Sequence, residues 1–338
     1  MTTAHGEANT QKNNIVSIQA LRGIAAFLVV LVHCFPRQHY PDTNILKIIS
    51  SKGYMGVQIF FIISGYIVPY SMYKNEYNIK KIGVFFAKRM VRIEPPYIAS
   101  IVLIFLFAWL SAWSPWSNSS MTYKPDWWNI LGHLGYLNAF TKQPWLSPVY
   151  WTLALEFMFY IILALFFPLF TNTRKIILMA SFYVFLSLSF SHNYLPYYLL
   201  GHHTVFFMLG ISLFLYHVKK INLVEYLVLT TSCFAVCLYI FIPLLALVAL
   251  ASLLFIQYVT RIPKILWGLG AISYSLYLTH AITALRFEAL FARLIPGLSI
   301  GFKFIFGLLG CIAFAAIFYY IIERPFQKIS KNIGYKKI

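Results

Sequence analysis

Acidic side chains are scarce in this sequence. Nine Asp and Glu residues stand against 27 Lys and Arg residues in a chain of 338, and charged residues of both signs make up only 11%. Because soluble domains carry about 25% charged residues, the composition excludes a soluble globular fold. Hydrophobic residues account for 60% of the chain and aromatic residues for 19%, with a mean hydropathy of +0.72. The sequence therefore predicts an all-α, polytopic membrane protein.

Cysteine is also rare, and the four that occur lie in or at the end of apolar segments: Cys34, Cys233, Cys237 and Cys311. Their spacing matches no metal-ligand pattern, so we expect packing residues and neither disulfides nor a metal site. The net charge of +18 comes mainly from short loops between apolar runs. Such a distribution is typical of topology determinants, and we expect no nucleic-acid partner.

The apolar runs predict about ten transmembrane helices. Their approximate bounds are 15–35, 53–73, 96–113, 148–169, 176–190, 199–216, 223–239, 243–259, 265–285 and 300–322. Residues 1–14 lack the pattern of a cleavable signal peptide and are predicted as an N-terminal tail. Residues 15–322 then form one transmembrane domain, followed by a basic tail over residues 323–338.

The basic residues predict the orientation of these helices. With the N-terminus in the cytoplasm, most Lys and Arg residues fall on the inner side, including six between residues 74 and 92. The positive-inside rule therefore predicts that both termini are cytoplasmic. Residues 114–147 fall outside, and their tryptophans favour a short helix lying in the membrane interface.

Arg22 and His33 are the two ionisable side chains of the first apolar run. They are eleven residues apart, which places them on one helix face, about 16 Å apart along the axis. An unpaired Arg inside a bilayer costs about 2.5 kcal/mol or more, so such a pair indicates function. In the alternative interpretation, Arg22 is an interfacial anchor and His33 a hydrogen-bonded packing residue.

A second basic pair, Arg89 and Arg92, stands three residues apart just before two prolines. In a helix both guanidinium groups would share a face, and their planar forks suit the oxygens of a phosphate. The alternative is a solvated basic loop that follows the topology rule and touches anionic lipids.

Glu156 is the one carboxylate deep within an apolar run. Its predicted depth is close to that of His33, so we expect it to fix the tautomer of the imidazole and raise its basicity. Alternatively, Glu156 is protonated and bonds a neighbouring helix. His280 also lies in the outer half of its helix, where a structural or substrate-orienting role is favoured over catalysis.

Six motifs occur in order along the chain: QALRGIAAFLVVLVH, GVQIFFIISGY, FFAKRMVRIEPPY, YWTLALEFMFY, ISYSLYLTHA and IERPF. Together they resemble the membrane acyltransferase family 3, which includes bacterial O-antigen and exopolysaccharide O-acetyltransferases. The resemblance extends over residues 15–326. It implies a ten-helix core in the bacterial inner membrane that passes an acyl group from cytoplasmic acyl-CoA to a carbohydrate at the outer face.

The resemblance assigns roles residue by residue. Its basic residue, ten-residue gap and histidine match Arg22 and His33, and its Arg-x-x-Arg element matches Arg89 and Arg92. It implies that the three arginines bind acyl-CoA and that His33 is a general base on a sugar hydroxyl. A covalent acyl-histidine is the open variant. No bound cofactor or metal is implied beyond the acyl-CoA donor.

The Trp-Ser-Leu-x-x-Glu element matches Trp151 and Glu156, with Thr152 in place of Ser. This implies that Glu156 supports His33, while Trp151, His280 and Ser64 bind the acceptor or support the site. The Ser64-Gly65 pair is expected to allow close helix packing, because it lacks the setting of a hydrolase nucleophile. Glu94 departs from the family pattern and is expected to place a carboxylate beside the arginine pair.

The expected partners are acyl-CoA, a carbohydrate acceptor, membrane lipids and proteins of polysaccharide assembly. Both acetyl and succinyl remain open as the acyl group. A competing hypothesis is a transporter or flippase for a glycolipid or polysaccharide, in which Arg22, His33 and Glu156 line a permeation path. The two hypotheses differ in donor dependence, since transport needs no acyl-CoA.

Overall fold

The computed structural model describes residues 2–35, 40–113, 126–171, 175, 181–182, 185 and 200–335. All regular secondary structure in these ranges is helical, which confirms the predicted all-α class. The helices are α1 (Thr2–Cys34), α2 (Ile45–Ser51), α3 (Met55–Lys74), α4 (Ile82–Trp113), α5 (Trp127–Leu134), α6 (Asn138–Thr141), α7 (Tyr150–Phe166), α8 (Leu200–His217), α9 (Leu223–Ile240), α10 (Pro243–Tyr258), α11 (Lys264–Ala271), α12 (Ser273–Leu294), α13 (Ile300–Phe318) and α14 (Arg324–Asn332).

Six of these helical segments are long and apolar enough to cross a membrane within the described ranges, or seven if the bent pair α11–α12 is one span. The predicted count of about ten is therefore not confirmed, and the orientation stays a prediction. Helices α8 and α10 do occur where spans were predicted, but α10 is short and α8 carries three histidines. Most of the predicted helix over 176–190 lies outside the described residues.

Both predicted tails contain helix. Helix α1 begins at Thr2, so it includes most of the segment assigned to the N-terminal tail. At the other end, Tyr319–Glu323 forms a π-helical turn that leads directly into α14. Segments next to a long helix can extend it by one hydrogen bond per residue without a new nucleus, which explains the difference from the hydropathy-based bounds.

The chain forms two compact units. The first consists of Met1–Val32, Ile48–Ile82 and Leu155–Ser273, and its largest internal contact is between α3 and α8. Glycines bring these two backbones together: a Cβ added to Gly65 would lie 2.1 Å from the carbonyl oxygen of Phe207, and one added to Gly210 would lie 2.1 Å from that of Ile62. Small residues at such crossings are the usual basis of helix association in membranes.

The close approach of α3 and α8 predicts that one added methyl group lowers the stability of the protein. Gly65→Ala should destabilise the folded protein by about 1–3 kcal/mol, because the new methyl group meets rigid backbone. The measurement is the apparent melting temperature in detergent. Gly83→Ala in α4 is the matched control, since nothing lies within 4 Å of its added Cβ and it should melt at or above the parental temperature. Equal melting of parent and Gly65→Ala would contradict the close approach.

The second unit consists of His33–Lys47, Gly83–Ala154 and Tyr274–Ile338. Its α4 corrects the expectation that the proline pair begins a span, because the helix starts at Ile82 and continues through Pro95 and Pro96. Proline removes backbone donors and loosens the preceding turn. The hydroxyl of Tyr274 donates a hydrogen bond to the carbonyl of Ile93 (2.9 Å), next to the carbonyls of Val91 and Arg92 that the prolines leave without a helical donor, so α12 contacts α4 beside the interruption.

Helix α5 buries polar side chains and exposes apolar ones, the reverse of a helix on the surface of a soluble protein. Asn129 and His133 are buried, while Trp127 and Trp128 are 72% and 78% exposed. An apolar outward face suits contact with lipid, as the tryptophans predicted. Tyr136 after α5 hydrogen-bonds Glu94 of α4, and the location of this segment in the membrane interface stays a prediction.

Candidate active site

His33 and His280 face each other in the second unit. His33 lies near the end of α1 with an exposed side chain, whereas His280 in α12 is fully buried. Nδ1 of His33 is 3.3 Å from Nε2 of His280, and the ring centroids are 5.1 Å apart. The structure thus brings together two residues of the predicted site that the sequence left in separate roles.

The hydrogen bonds determine the tautomers of a neutral pair. Nδ1 of His280 is 3.0 Å from the carbonyl oxygen of Leu276, which can only accept, so this nitrogen carries the proton. Nε2 of His280 then accepts, and Nδ1 of His33 donates to it. The remaining lone pair is on Nε2 of His33, the ring nitrogen that is able to act as a base.

Glu156 lies on α7 in the first unit, where two hydroxyl groups donate to one of its carboxylate oxygens. Ser64 on α3 donates at 2.7 Å, and Tyr160, one turn further along α7, donates to the same oxygen. Ser64 is therefore a partner of Glu156 in addition to being next to the packing glycine. The expected support of His33 by Glu156 stays a prediction.

Sequence reasoning missed Tyr160, although one signal for it was present. Glu156 and Tyr160 are four residues apart in an apolar run, and side chains with this spacing meet on a helix. A hydroxyl one turn from an intramembrane carboxylate is a natural donor to it, because an unbonded carboxylate there is costly.

The three arginines assigned to the donor are partly exposed. Arg22 lies on α1 in the first unit, and Arg89 and Arg92 lie on α4 in the second. Because α4 is continuous here, the predicted shared helix face of Arg89 and Arg92 is confirmed. The guanidinium group of Arg89 also lies 5.7 Å from the ring centre of Phe85, one turn earlier.

Glu94 does not have the environment that its position in the sequence indicated. It was expected beside the arginine pair, but its described hydrogen bond is with the hydroxyl of Tyr136. Tyr136 stacks on Tyr97 with ring centroids 5.5 Å apart. The carboxyl group is thus held among tyrosines.

The start of α7 is tied to α12 close to His280. The hydroxyl of Thr152 lies 2.5 Å from that of Tyr277, one turn before His280, and donates to the carbonyl of Val149 at 2.8 Å. Thr152 thus uses the hydroxyl that it shares with the Ser of the family element. Trp151 is partly exposed beside it, and its acceptor role stays a prediction.

Glu323 in the IERPF motif is a second buried carboxylate that sequence reasoning did not single out. It is 1% exposed and accepts hydrogen bonds from the backbone N–H of Ser275 (3.0 Å), the Ser275 hydroxyl (2.5 Å) and the Gln327 amide (2.6 Å). These bonds anchor the π-helical turn to the start of α12, the helix that carries His280.

Comparisons with known proteins agree with these features. The profile of the family described as "Acyltransferase domain" matches residues 15–320. O-acetyltransferase OatA of Staphylococcus aureus is 28% identical over 125 residues, which cover 34% of this chain and 20% of OatA. YrhL of Bacillus subtilis, which carries the provisional name peptidoglycan O-acetyltransferase, is 31% identical over 126 residues, 35% of this chain and 20% of YrhL.

The matched part of each relative is small. The chain spans about a fifth of the length of these two curated relatives. No solved structure matches the chain.

Proposed function

The chain belongs to the acyltransferase family, and on this premise we propose that it is an integral-membrane O-acyltransferase. It moves an acetyl group from cytoplasmic acetyl-CoA to a hydroxyl group of a cell-surface carbohydrate or its lipid-linked precursor. The observation that carries the proposal is the His33–His280 pair, which leaves Nε2 of His33 as a base on an exposed side chain. The names of the relatives support O-acetylation, with peptidoglycan as one glycan to test beside O-antigen and exopolysaccharide.

In the proposed reaction His33 acts as a general base. The sugar hydroxyl oxygen bonds to the thioester carbonyl carbon, the C–S bond breaks, and the hydroxyl proton passes to Nε2 of His33. That proton then reaches the CoA thiolate, so the products are an O-acetyl ester and free CoA. In the two-step variant Nε2 attacks the thioester first, and a single-turnover experiment without acceptor separates the two routes.

The remaining residues bind and position. Arg89 and Arg92 hold the phosphates of CoA on one face of α4, and Arg22 binds the donor from α1. Glu156, held by Ser64 and Tyr160, supports catalysis. His280 acts through His33 as a positioning residue, because the tautomer of His33 depends on the bond between them.

The proposal is tested with purified protein in nanodiscs, isotope-labelled acetyl-CoA and glycan acceptors. We expect labelled ester on the glycan, detected by mass spectrometry, only when acetyl-CoA is present. Unlabelled glycan under all conditions, together with donor-independent movement of glycolipid across the bilayer, would favour a transporter instead.

The role of His280 predicts a difference between two substitutions. His280→Leu should lower kcat about 10- to 100-fold with little change in the KM for acetyl-CoA, because His33 loses the acceptor that fixes its tautomer. His280→Gln should recover part of the loss, since its amide oxygen can accept from Nδ1 of His33. Equal activity of the Leu and Gln variants, at equal melting temperature, would show that the residue only packs.

A further inference from the structure

The last described residues of the chain lie against α4. The hydroxyl of Ser330 donates to the carbonyl of Lys88 at 2.7 Å, and the ammonium group of Lys88 donates to the carbonyl of Ile333 at 2.5 Å. The same ammonium lies 5.5 Å from the ring centre of Tyr335. We call residues 330–335 the C-terminal strap.

The strap lies beside the arginine pair. Lys88 directly precedes Arg89 on α4 and is one turn before Arg92. Burial raises the pKa of Tyr335, and the positive charge of Arg89 opposes this effect, so the phenol is within electrostatic reach of that guanidinium. Arg89, Arg92 and Tyr335 are all partly exposed. Three cationic groups and one aromatic ring therefore share a small area.

Three cationic groups beside an aromatic ring fit the nucleotide end of the donor better than its pantetheine arm. Cationic forks bind phosphate oxygens, and an aromatic ring beside them provides a face on which a nucleobase stacks. Coenzyme A carries both kinds of group at its nucleotide end, an adenine and three phosphates, whereas its pantetheine arm has neither.

We propose that the C-terminal strap forms the nucleotide-binding part of the donor site. Tyr335 stacks on the adenine, and Lys88 joins Arg89 and Arg92 on the phosphates. The hydrogen bonds from Ser330 and Lys88 hold the strap in place. This inference rests on the proposed function, because it takes acyl-CoA as the donor.

The predicted membrane orientation of the chain agrees with a donor site at the C-terminal strap. The orientation predicted from the basic residues has the segment 74–92 and the C-terminus on the cytoplasmic side. Contact between Lys88 and Ile333 requires that both lie on the same side. CoA is a cytoplasmic metabolite, so a strap there meets the donor and not the carbohydrate.

The test compares two donors that differ only in the nucleotide. In the full-length protein, Tyr335→Ala should reduce the preference for acetyl-CoA over S-acetylpantetheine, measured as the ratio of kcat/KM values, by about 5-fold or more. Tyr335→Phe should keep the parental ratio. Tyr320→Ala is the matched control, because Tyr320 is exposed and also pairs with a cation, Arg324 at 5.3 Å, but lies outside the strap.

A binding measurement tests the C-terminal strap independently of acetyl transfer. Adenosine 3′,5′-bisphosphate should raise the melting temperature of the parent and of Tyr320→Ala more than that of Tyr335→Ala. An unchanged donor preference and unchanged stabilisation in Tyr335→Ala would overturn the inference. A higher preference for acetyl-CoA in that variant would also overturn it, since it would make the strap a cover over the arginines. If the parent uses neither donor, the proposed function fails, and binding of the bisphosphate still tests the strap.

Discussion

His33→Ala should reduce acetyl transfer by about 10²- to 10⁴-fold, which in cells places glycan acetylation below detection. The reason is that Nε2 of His33 carries the basic lone pair when Nδ1 donates to His280, whose own Nδ1 donates to the carbonyl of Leu276. The side chain is exposed, so its loss removes little packing. Abundance in the membrane should therefore stay near the parental level.

The alanine variant has one structural side effect, and a second substitution controls for it. Removing His33 leaves Nε2 of the buried His280 without its donor, at a cost of about 1–3 kcal/mol. His33→Asn keeps an N–H group near the position of Nδ1 but has no basic nitrogen. It should melt close to the parent and be as inactive as the alanine variant. Parental turnover in a well-folded His33→Asn would remove the histidine from the chemistry.

Replacing both Arg89 and Arg92 by Ala should raise the KM for acetyl-CoA by about 100-fold or more. Each charge-assisted hydrogen bond to a phosphate is worth about 1.5–3 kcal/mol, and about 1.4 kcal/mol corresponds to tenfold in affinity. The double Lys variant should recover only part of the loss, because a point charge does not replace a bidentate fork. Steady-state kinetics with varied acetyl-CoA measure both effects.

Lys80→Ala is the matched control for the arginine pair. Lys80 is an exposed cation in the same basic segment, but it precedes α4. It should leave the KM for acetyl-CoA within about twofold, since exposed charges are screened at physiological salt. An equal rise in KM for Lys80→Ala and the double Ala variant would show that the segment acts only through its overall charge.

The sequence predicted the class of fold and most helices because long apolar runs have few alternatives in a membrane. It did not predict the continuity of α4, since two adjacent prolines normally end a helix. The support that Tyr274 gives to the carbonyl of Ile93 comes from a residue 181 positions away, which no local pattern reveals. The inward polar face of α5 was also not predicted, although Asn129 and His133 hydrogen-bond to residues 138–146, which follow α5 closely in the sequence.

The sequence indicated the candidate site residues singly but not their hydrogen-bond partners. Arg22, His33 and Glu156 were recognisable because ionisable groups are costly in an apolar run, and Arg89 and Arg92 because of their three-residue spacing before two prolines. The partner of His33 was not, because His280 is 247 positions away and a buried histidine is often only a packing residue. The Glu156–Tyr160 bond was predictable in principle from its spacing, whereas the bond to Ser64 spans 92 positions and needed the packing of α3 and α7.

The central claim is that one membrane protein passes an acetyl group from a donor on one side to a carbohydrate on the other. Sealed proteoliposomes with labelled acetyl-CoA in the lumen and a glycan acceptor outside test it most directly, using molecules oriented with their basic face inward. We expect labelled O-acetyl glycan outside with the parent protein, and none with His33→Asn or without acetyl-CoA. Labelled glycan at the parental rate with His33→Asn, or none with the parent in any orientation, would contradict it.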